Sequence, residues 1–195
     1  RVRLGLIELF DFSWINDSLY FGLYRRTGSF FEGSELSALG RPADARERQL
    51  LAPFPDAVPA EVLEGRYAPP TADGSGRDRA ALRRALALFA AAGFRPSDGA
   101  LRDRAGRPLR FEILVVTRDQ QRLAMAYAHM LARAGIAAAV RLVDAVQFES
   151  RRQTYDFDMI PNTWDQSSSP GNEQAFYFGS AAADTDAGLI GIIAA

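Results

Sequence analysis

Apolar side chains recur along this chain with two different periods, and the change from one to the other maps its organisation. Near the start, Leu6, Phe10, Trp14, Leu19, Tyr20 and Leu23 fall close to helical spacing, which predicts two short helices in the first thirty residues. Arg25-Arg26-Thr27-Gly28 breaks that pattern. Between Phe31 and Gly76, prolines at 42, 53, 55, 59, 69 and 70 predict a long irregular stretch with a brief helix over 44–51. Segments of that length in a compact domain are usually functional or wrap a neighbouring lobe. From 78 to 92, Leu82, Ala85, Leu86 and Phe89 share one face while Arg77, Arg83 and Arg84 lie elsewhere; Gly93 then stands where a left-handed residue ends a helix, with Phe94 as its apolar follower.

Two turns come next, Pro96-Ser97-Asp98-Gly99 and Asp103-Arg104-Ala105-Gly106, and after them 109–116 reads as a strand that is continuously apolar from Ile113 to Val116. Thr117 and Gln120 have capping-box spacing and open a helix carrying Leu123, Tyr127, Met130 and Leu131, closed by Gly135 with Ile136 behind it. A strand over 137–143, a short helix over 146–153 and a third strand over 157–160 complete the pattern. Strand, helix, strand, helix, strand at these spacings is an α/β unit with parallel strands and right-handed crossovers, an open sheet with flanking helices. Ligands of such sheets lie beyond the carboxyl ends of the strands. That places attention on 162–174, where Asn162, Trp164, Asp165, Gln166, Ser167, Ser168, Ser169, Asn172, Glu173 and Gln174 set one indole among amides, carboxylates and hydroxyls. Such a mixture suits a polar ligand with an apolar part, such as a peptide, and it also suits a surface loop pinned by a buried Trp.

Composition narrows the chemistry. All 23 basic residues are Arg and none is Lys, so Schiff-base and P-loop mechanisms have no amine to use. Without Cys, and with His129 as the single His, neither a thiolate nucleophile nor a His or Cys metal cluster can form, and no cofactor is implied. A net charge of −1 gives no field for nucleic acid. His129 lies mid-helix with no carboxylate or hydroxyl to orient it, and reads as a helix-surface or partly buried residue. Asp156 and Asp158 alternate around Phe157 and should point one way, one of them pairing with Arg151 or Arg152. Ser167, Ser168 and Ser169 lack a neighbouring base. Gly74-Ser75-Gly76 can either cradle an anion or simply open the helix that follows. Nothing assembles a catalytic constellation, so the chain reads as a non-enzyme.

Three stretches together resemble the C-terminal lobe of the family 5 extracellular solute-binding proteins, the peptide-binding subunits of ABC importers. They are the helix from Arg77 through Gly93-Phe94; the run Asp98-Gly99, Gly106-Arg107-Pro108-Leu109 and Phe111-Glu112-Ile113; and Leu131-Ala132-Arg133-Ala134-Gly135-Ile136 through Arg141-Leu142-Val143-Asp144 to Tyr155-Asp156-Phe157-Asp158-Met159 and Trp164. Residues 20–31 and 164–174 look most like the oligopeptide and microcin C importer subgroup. The resemblance implies one lobe of a type II periplasmic binding protein, with 1–76 as its N-terminal helices and long irregular segment and 77–195 as its α/β core. It further implies a peptide held between two lobes by Asn162, Trp164, Asp165, Gln166, Ser167, Ser168, Asn172 and Glu173, a transmembrane permease partner, a periplasmic location and a monomer. Many members carry, three residues after the Trp, an Asp that pairs with the ligand's α-amine; here that position is Ser167, which leaves Asp165 or Glu173 as the available counter-charge. The start at Arg1 and the apolar end are those of a piece of a longer chain. A sensory module built on such a lobe, or a small α/β hydrolase, are the alternative readings.

Overall fold

The two expected N-terminal helices form as α1 (Val2–Glu8) and α2 (Phe12–Tyr20) in the computed structural model, which describes residues 1–163 together with 171, 172, 174, 175 and 179. Asp11, only 4% exposed, joins α2 to a distant loop: its Oδ1 accepts from the Trp14 amide at 3.1 Å and its Oδ2 from the Gly76 amide at 2.8 Å. One carboxylate thus caps a helix and fixes the approach to the helix after 76.

That helix is α5 (Arg79–Ala91), following α3 (Ala45–Leu51) and α4 (Ala60–Leu63) in chain order. Asp78 opens it by accepting from the amides of Ala80 and Ala81 at 2.6 and 3.1 Å. It closes as the sequence predicts: Gly93 has φ 93°, its amide donates to the Ala90 carbonyl, and the Phe94 amide donates back to Phe89. α5 packs on α1 through Phe89, whose ring lies so close to Gly5 that a Cβ there would stand 2.7 Å from it. Phe89 is fully buried and shares a core with Leu9, Ile15, Leu101, Ile113, Val115, Tyr127, Leu131 and Ile136.

The turn at 96–99 is a hairpin between β1 (Arg95–Ser97) and β2 (Ala100–Arg102), with Asp98 and Gly99 both left-handed at φ 49° and 74°. Two central residues of positive φ match the twist of the flanking strands. Leu101, fully buried, anchors the hairpin: its amide donates to the Gly135 carbonyl at 2.8 Å and its carbonyl accepts from Leu109 at 2.7 Å. Gly135 must be glycine on two counts, since φ is 77° and a Cβ would meet the Leu101 nitrogen at 2.8 Å.

β3 (Arg110–Val115) and β4 (Ala137–Leu142) pair in parallel across α6 (Arg118–Ala132), with Arg110 opposite Ala137 and Val115 opposite Leu142. Phe111, Ile113 and Val115 join Ala138, Val140 and Leu142 against the core, while Arg110, Glu112, Ala137, Ala139 and Arg141 belong to the opposite face. Thr117 and Gln120 form the reciprocal capping box. α7 (Ala145–Gln153) follows, capped by Asp144. The open α/β lobe read from the sequence is therefore the architecture found.

The third strand is shorter than expected over 157–160: only Met159 pairs, in parallel with Ile113, beside β3 on the side away from β4. Met159 donates to Glu112 O and accepts from the Leu114 amide. The next rung on one side is taken by the Asp158 carboxylate, which accepts the Glu112 amide at 2.9 Å. On the other side stands Pro161, which has no N–H to give.

By contacts the chain divides into two units, Arg1–Tyr24 with Thr71–Ala195, and Arg25–Pro70. The second holds α3, with its own capping box between Asp44 and Glu47, and α4. Its two ends meet where Arg26 donates to the Pro70 carbonyl at 2.6 Å.

Candidate functional site

The carboxyl ends of the strands are bordered by helix starts. The Val116 and Thr117 amides both donate to Gln120 Oε1, at 2.9 and 3.2 Å, and the Val143 amide to the Val115 carbonyl at 3.0 Å, before Asp144 caps α7. Past Met159, the chain leaves the sheet through Pro161 to Asn162 and Thr163, both exposed. Asn162 therefore stands where the sequence places it, at the exit of the third sheet segment. Asn172 is also exposed, at a helical position. Trp164, Asp165, Gln166, Ser167, Ser168 and Glu173 lie outside the described residues, as does Ser169.

A second feature belongs to the same end of the sheet, and the sequence reading passed over it. α2 lies against α6 with opposite direction: Trp14 shares a surface hollow with Met130 and Arg133, whereas Tyr20 lies within electrostatic range of Asp119 and Arg122 at the start of α6. Burial, then the neighbouring Tyr24 and Asp119, raise the Tyr20 phenol above its ordinary value, opposed by Arg122. Beyond Tyr20 the chain turns through Phe21 and Gly22, both left-handed at φ 55° and 75°. Asn16, 8% exposed, clamps this corner: its Nδ2 donates to the Tyr24 carbonyl at 2.7 Å and its Oδ1 accepts the Tyr24 amide at 3.0 Å. The rings of Tyr20 and Tyr24 meet edge to face at 4.9 Å. Phe21, Leu23 and Tyr24 are 87%, 79% and 59% exposed. The available signal was the run Leu19-Tyr20-Phe21-Gly22-Leu23-Tyr24, too densely apolar to lie on one face of a helix.

The other candidates have structural partners. Glu112 holds two arginines, Arg141 Nε on Oε2 at 2.6 Å and Arg151 Nη1 on Oε1 at 2.8 Å. Arg151 also binds Asp156 at 2.8 Å, the pairing expected for one of the two acids, while Asp158 accepts the Glu112 amide. The bond to Glu112, then the nearby Asp156 charge, raise the Arg151 guanidinium further. In Gly74-Ser75-Gly76 the amides of Ser75 and Gly76 are engaged by Asp73 and Asp11, and the Arg77 amide that follows by the Ser75 hydroxyl, so these three are not available to an anion. The loop opens a helix. His129 is exposed beside a hollow of about 540 Å³ lined by Trp14, Gly76, Arg77 and Arg133, with no carboxylate in it, towards the far end of α6 from the strand exits. Among the described residues no group of three or more His, Cys, Asp or Glu is placed to hold a metal, and no helix is long and apolar enough to cross a membrane.

Residues 1–186 match the family model described as bacterial extracellular solute-binding proteins, family 5 middle. A Brucella melitensis biotype 1 chain named only as a binding protein is 50% identical over 184 residues, covering 94% of this chain and 30% of its own length. The peptidoglycan-binding protein YepA of Agrobacterium fabrum is 41% identical over 89% of this chain and 28% of its own. From the same organism, a chain carrying the name "Probable peptide-binding protein YejA" is 38% identical over 94% and 30%. Among solved structures, the oligopeptide-binding protein OppA superposes with a TM-score of 0.62 at 20% identity, over 91% of this chain and 24% of that one, which is a likeness of fold. The present chain spans less than a third of the length of the relatives it matches.

Proposed function

This chain belongs to the bacterial extracellular solute-binding proteins of family 5, and from that premise we propose that it is part of the C-terminal lobe of a periplasmic subunit that binds a peptide-like solute and hands it to an ABC permease. The observation that carries the reading is the parallel β3–α6–β4 unit with Met159 beside β3, which sends the chain out at the strands' carboxyl ends directly into Asn162. Residues 162–174 then form the ligand-facing wall. Trp164 stacks on a side chain or peptide plane; Asn162, Gln166, Ser167, Ser168 and Asn172 exchange hydrogen bonds with backbone groups of the solute. Asp165 or Glu173 supplies the negative charge that a free α-amine needs when it leaves water, a task Ser167 cannot perform. The names of YepA and YejA favour a peptide or peptidoglycan-derived solute, consistent with this mixture of amides and one indole. By the likeness of its 20–31 and 164–174 sequences, the chain falls with the oligopeptide and microcin C importers. A second lobe elsewhere in the parent protein closes on the solute by a hinge.

The test uses the full-length protein. Its co-purifying solute, identified by mass spectrometry, is a peptide or a peptide-containing fragment, and Trp164→Ala weakens binding of that compound by about 5- to 150-fold, the loss of about 1–3 kcal/mol usual for a buried aromatic at a binding hot spot. An unchanged dissociation constant refutes the site. The 195 residues alone keep one wall of the cleft and bind at best near roughly millimolar, if about half of a micromolar binding energy is lost. Micromolar binding by the isolated chain would show the site complete within it and defeat the two-lobe reading.

A further inference from the structure

We propose that the corner Tyr20-Phe21-Gly22-Leu23-Tyr24 is a contact surface for an apolar side chain of the bound peptide, with Phe21 its main selecting residue. The inference rests on the peptide-binding reading above and adds to it a second element, outside 162–174, that discriminates among solutes.

Position comes first. Because α2 runs opposite to α6, its carboxyl end reaches the start of α6, which begins three residues after β3 ends. The corner is thus at the end of the sheet where Asn162 emerges and where solutes of open α/β sheets lie.

Conformation is the second argument. A left-handed backbone costs a bulky side chain far more than glycine, and such strain is concentrated at ligand clamps and switches. Phe21 occupies it at φ 55° and ψ 32° while the residue is 87% exposed and repays little of the cost by burial among the described residues. Glycine would hold the same turn without strain. The phenyl ring is therefore carried for a contact that the described residues do not make.

Rigidity is the third. The Asn16 side chain holds both backbone groups of Tyr24, the Gly22 amide donates to the Asn16 carbonyl at 3.1 Å and the Leu23 amide to the Tyr20 carbonyl at 3.0 Å. Leu19 and Tyr20 are packed against the core, so the exposed residues stand on a fixed base. A fixed backbone at the corner presents the ring without first having to order the main chain. Asp17 lies beside Gly22, and Asp119 and Arg122 are within electrostatic range of Tyr20, so the apolar part of the corner is the exposed pair Phe21 and Leu23, which favours an aromatic or aliphatic partner there.

Calorimetry on the full-length protein with pentaalanine and with the five pentapeptides carrying one Phe in alanine tests this. At least one Phe peptide binds about tenfold or more tighter than pentaalanine, the scale of a single well-placed aromatic contact. Phe21→Gly and Phe21→Ser cut that preference to about twofold or less. Phe21→Gly suits the left-handed position, so its loss of preference cannot be assigned to misfolding, and an unchanged thermal midpoint checks this. A preference that survives both variants overturns the proposal. So does an equal weakening of all six peptides, which would assign the corner to contacts between lobes or with the permease. A wild-type protein that binds none of the six overturns the role of the corner, and defeats the peptide reading as well where its co-purifying solute is not a peptide, whereas equal wild-type affinity for all six defeats only the role of the corner.

Discussion

Truncating Asn16 to alanine should loosen the corner after α2 and lower global stability by a modest, calculable amount. The side chain makes two hydrogen bonds, both to Tyr24, at 2.7 and 3.0 Å. At about 0.5–1.5 kcal/mol each their loss is worth about 1–3 kcal/mol. Tyr24 is 59% exposed, so its freed amide and carbonyl regain water, which favours the lower half of that range. Alanine also has the better helix propensity, returning roughly half a kcal/mol at an interior position of α2. The net expectation is a loss of about 1 kcal/mol, or about 2–4 °C in Tm for a chain of this size. Urea unfolding of the 195-residue chain measures the first, and hydrogen exchange at the Tyr24 amide should accelerate well beyond the global change. Asn16→Asp is the sharper control. It keeps the acceptor but sets a carboxylate oxygen against the Tyr24 carbonyl, so it should cost more than alanine. An Asn16→Ala chain as stable as wild type to within about 0.3 kcal/mol, with Tyr24 equally protected, would refute the clamp.

Gly5→Ala places a Cβ 2.7 Å from the buried Phe89 ring; the overpacking cost of about 1–3 kcal/mol exceeds the helix-propensity gain of about 1, and Phe89→Leu in the same chain should recover part of the loss in a double-mutant cycle. Asp78→Ala should cost about 1 kcal/mol at neutral pH. The Ala81 amide, with those of Ala80 and Asp73, holds the Asp78 carboxyl below its usual range, so its contribution is present above the unfolded pKa and lost as pH falls through the folded one. Acid titration of both chains should therefore show their stabilities converging below about pH 4. Burial raises the Tyr127 phenol, which donates to the Leu6 carbonyl at 2.7 Å. Its contribution is intact below the unfolded value near 10 and declines as pH rises above it, and Tyr127→Phe should flatten that alkaline decline in denaturant titrations.

Elements specified by their own sequence were legible, and those decided by a neighbour were not. The Gly93-Phe94 and Gly135-Ile136 closures, the Thr117-Gln120 box and the apolar stripe around Phe89 state their structure within a few residues, and all are present. The third strand looked equally clear, yet its length depends on what β3 has left to offer after the Asp158 side chain takes the Glu112 amide and Pro161 withholds its own. Gly74-Ser75-Gly76 is a similar case, since the amides of Ser75, Arg77 and Gly76 are taken up by Asp73, by Ser75 itself and by Asp11, more than sixty positions away. For the site, strand order led to Asn162, which is exposed at the exit of the third sheet segment, but the Phe21 corner stayed hidden. Periodicity assigned Tyr20 and Leu23 to a helix face and had no means of seeing that Asn16 ends the helix by reaching forward to Tyr24.

The two closures of α6 also bear on how the chain reaches its native state. Parallel pairing of Arg110 with Ala137 is a non-local event whose loop-closure entropy must be met before any hydrogen bond of the β3–β4 ladder repays it. A crossover that is already helical, stopped at Thr117 by one local motif and at Gly135 by another, holds its ends at one separation, where the same residues as coil sample many. It delivers β4 beside β3 with few alternatives of register. Helix nucleation at the Thr117 box should therefore set the folding rate of this sheet, and Thr117→Ala should slow refolding by more than it hastens unfolding.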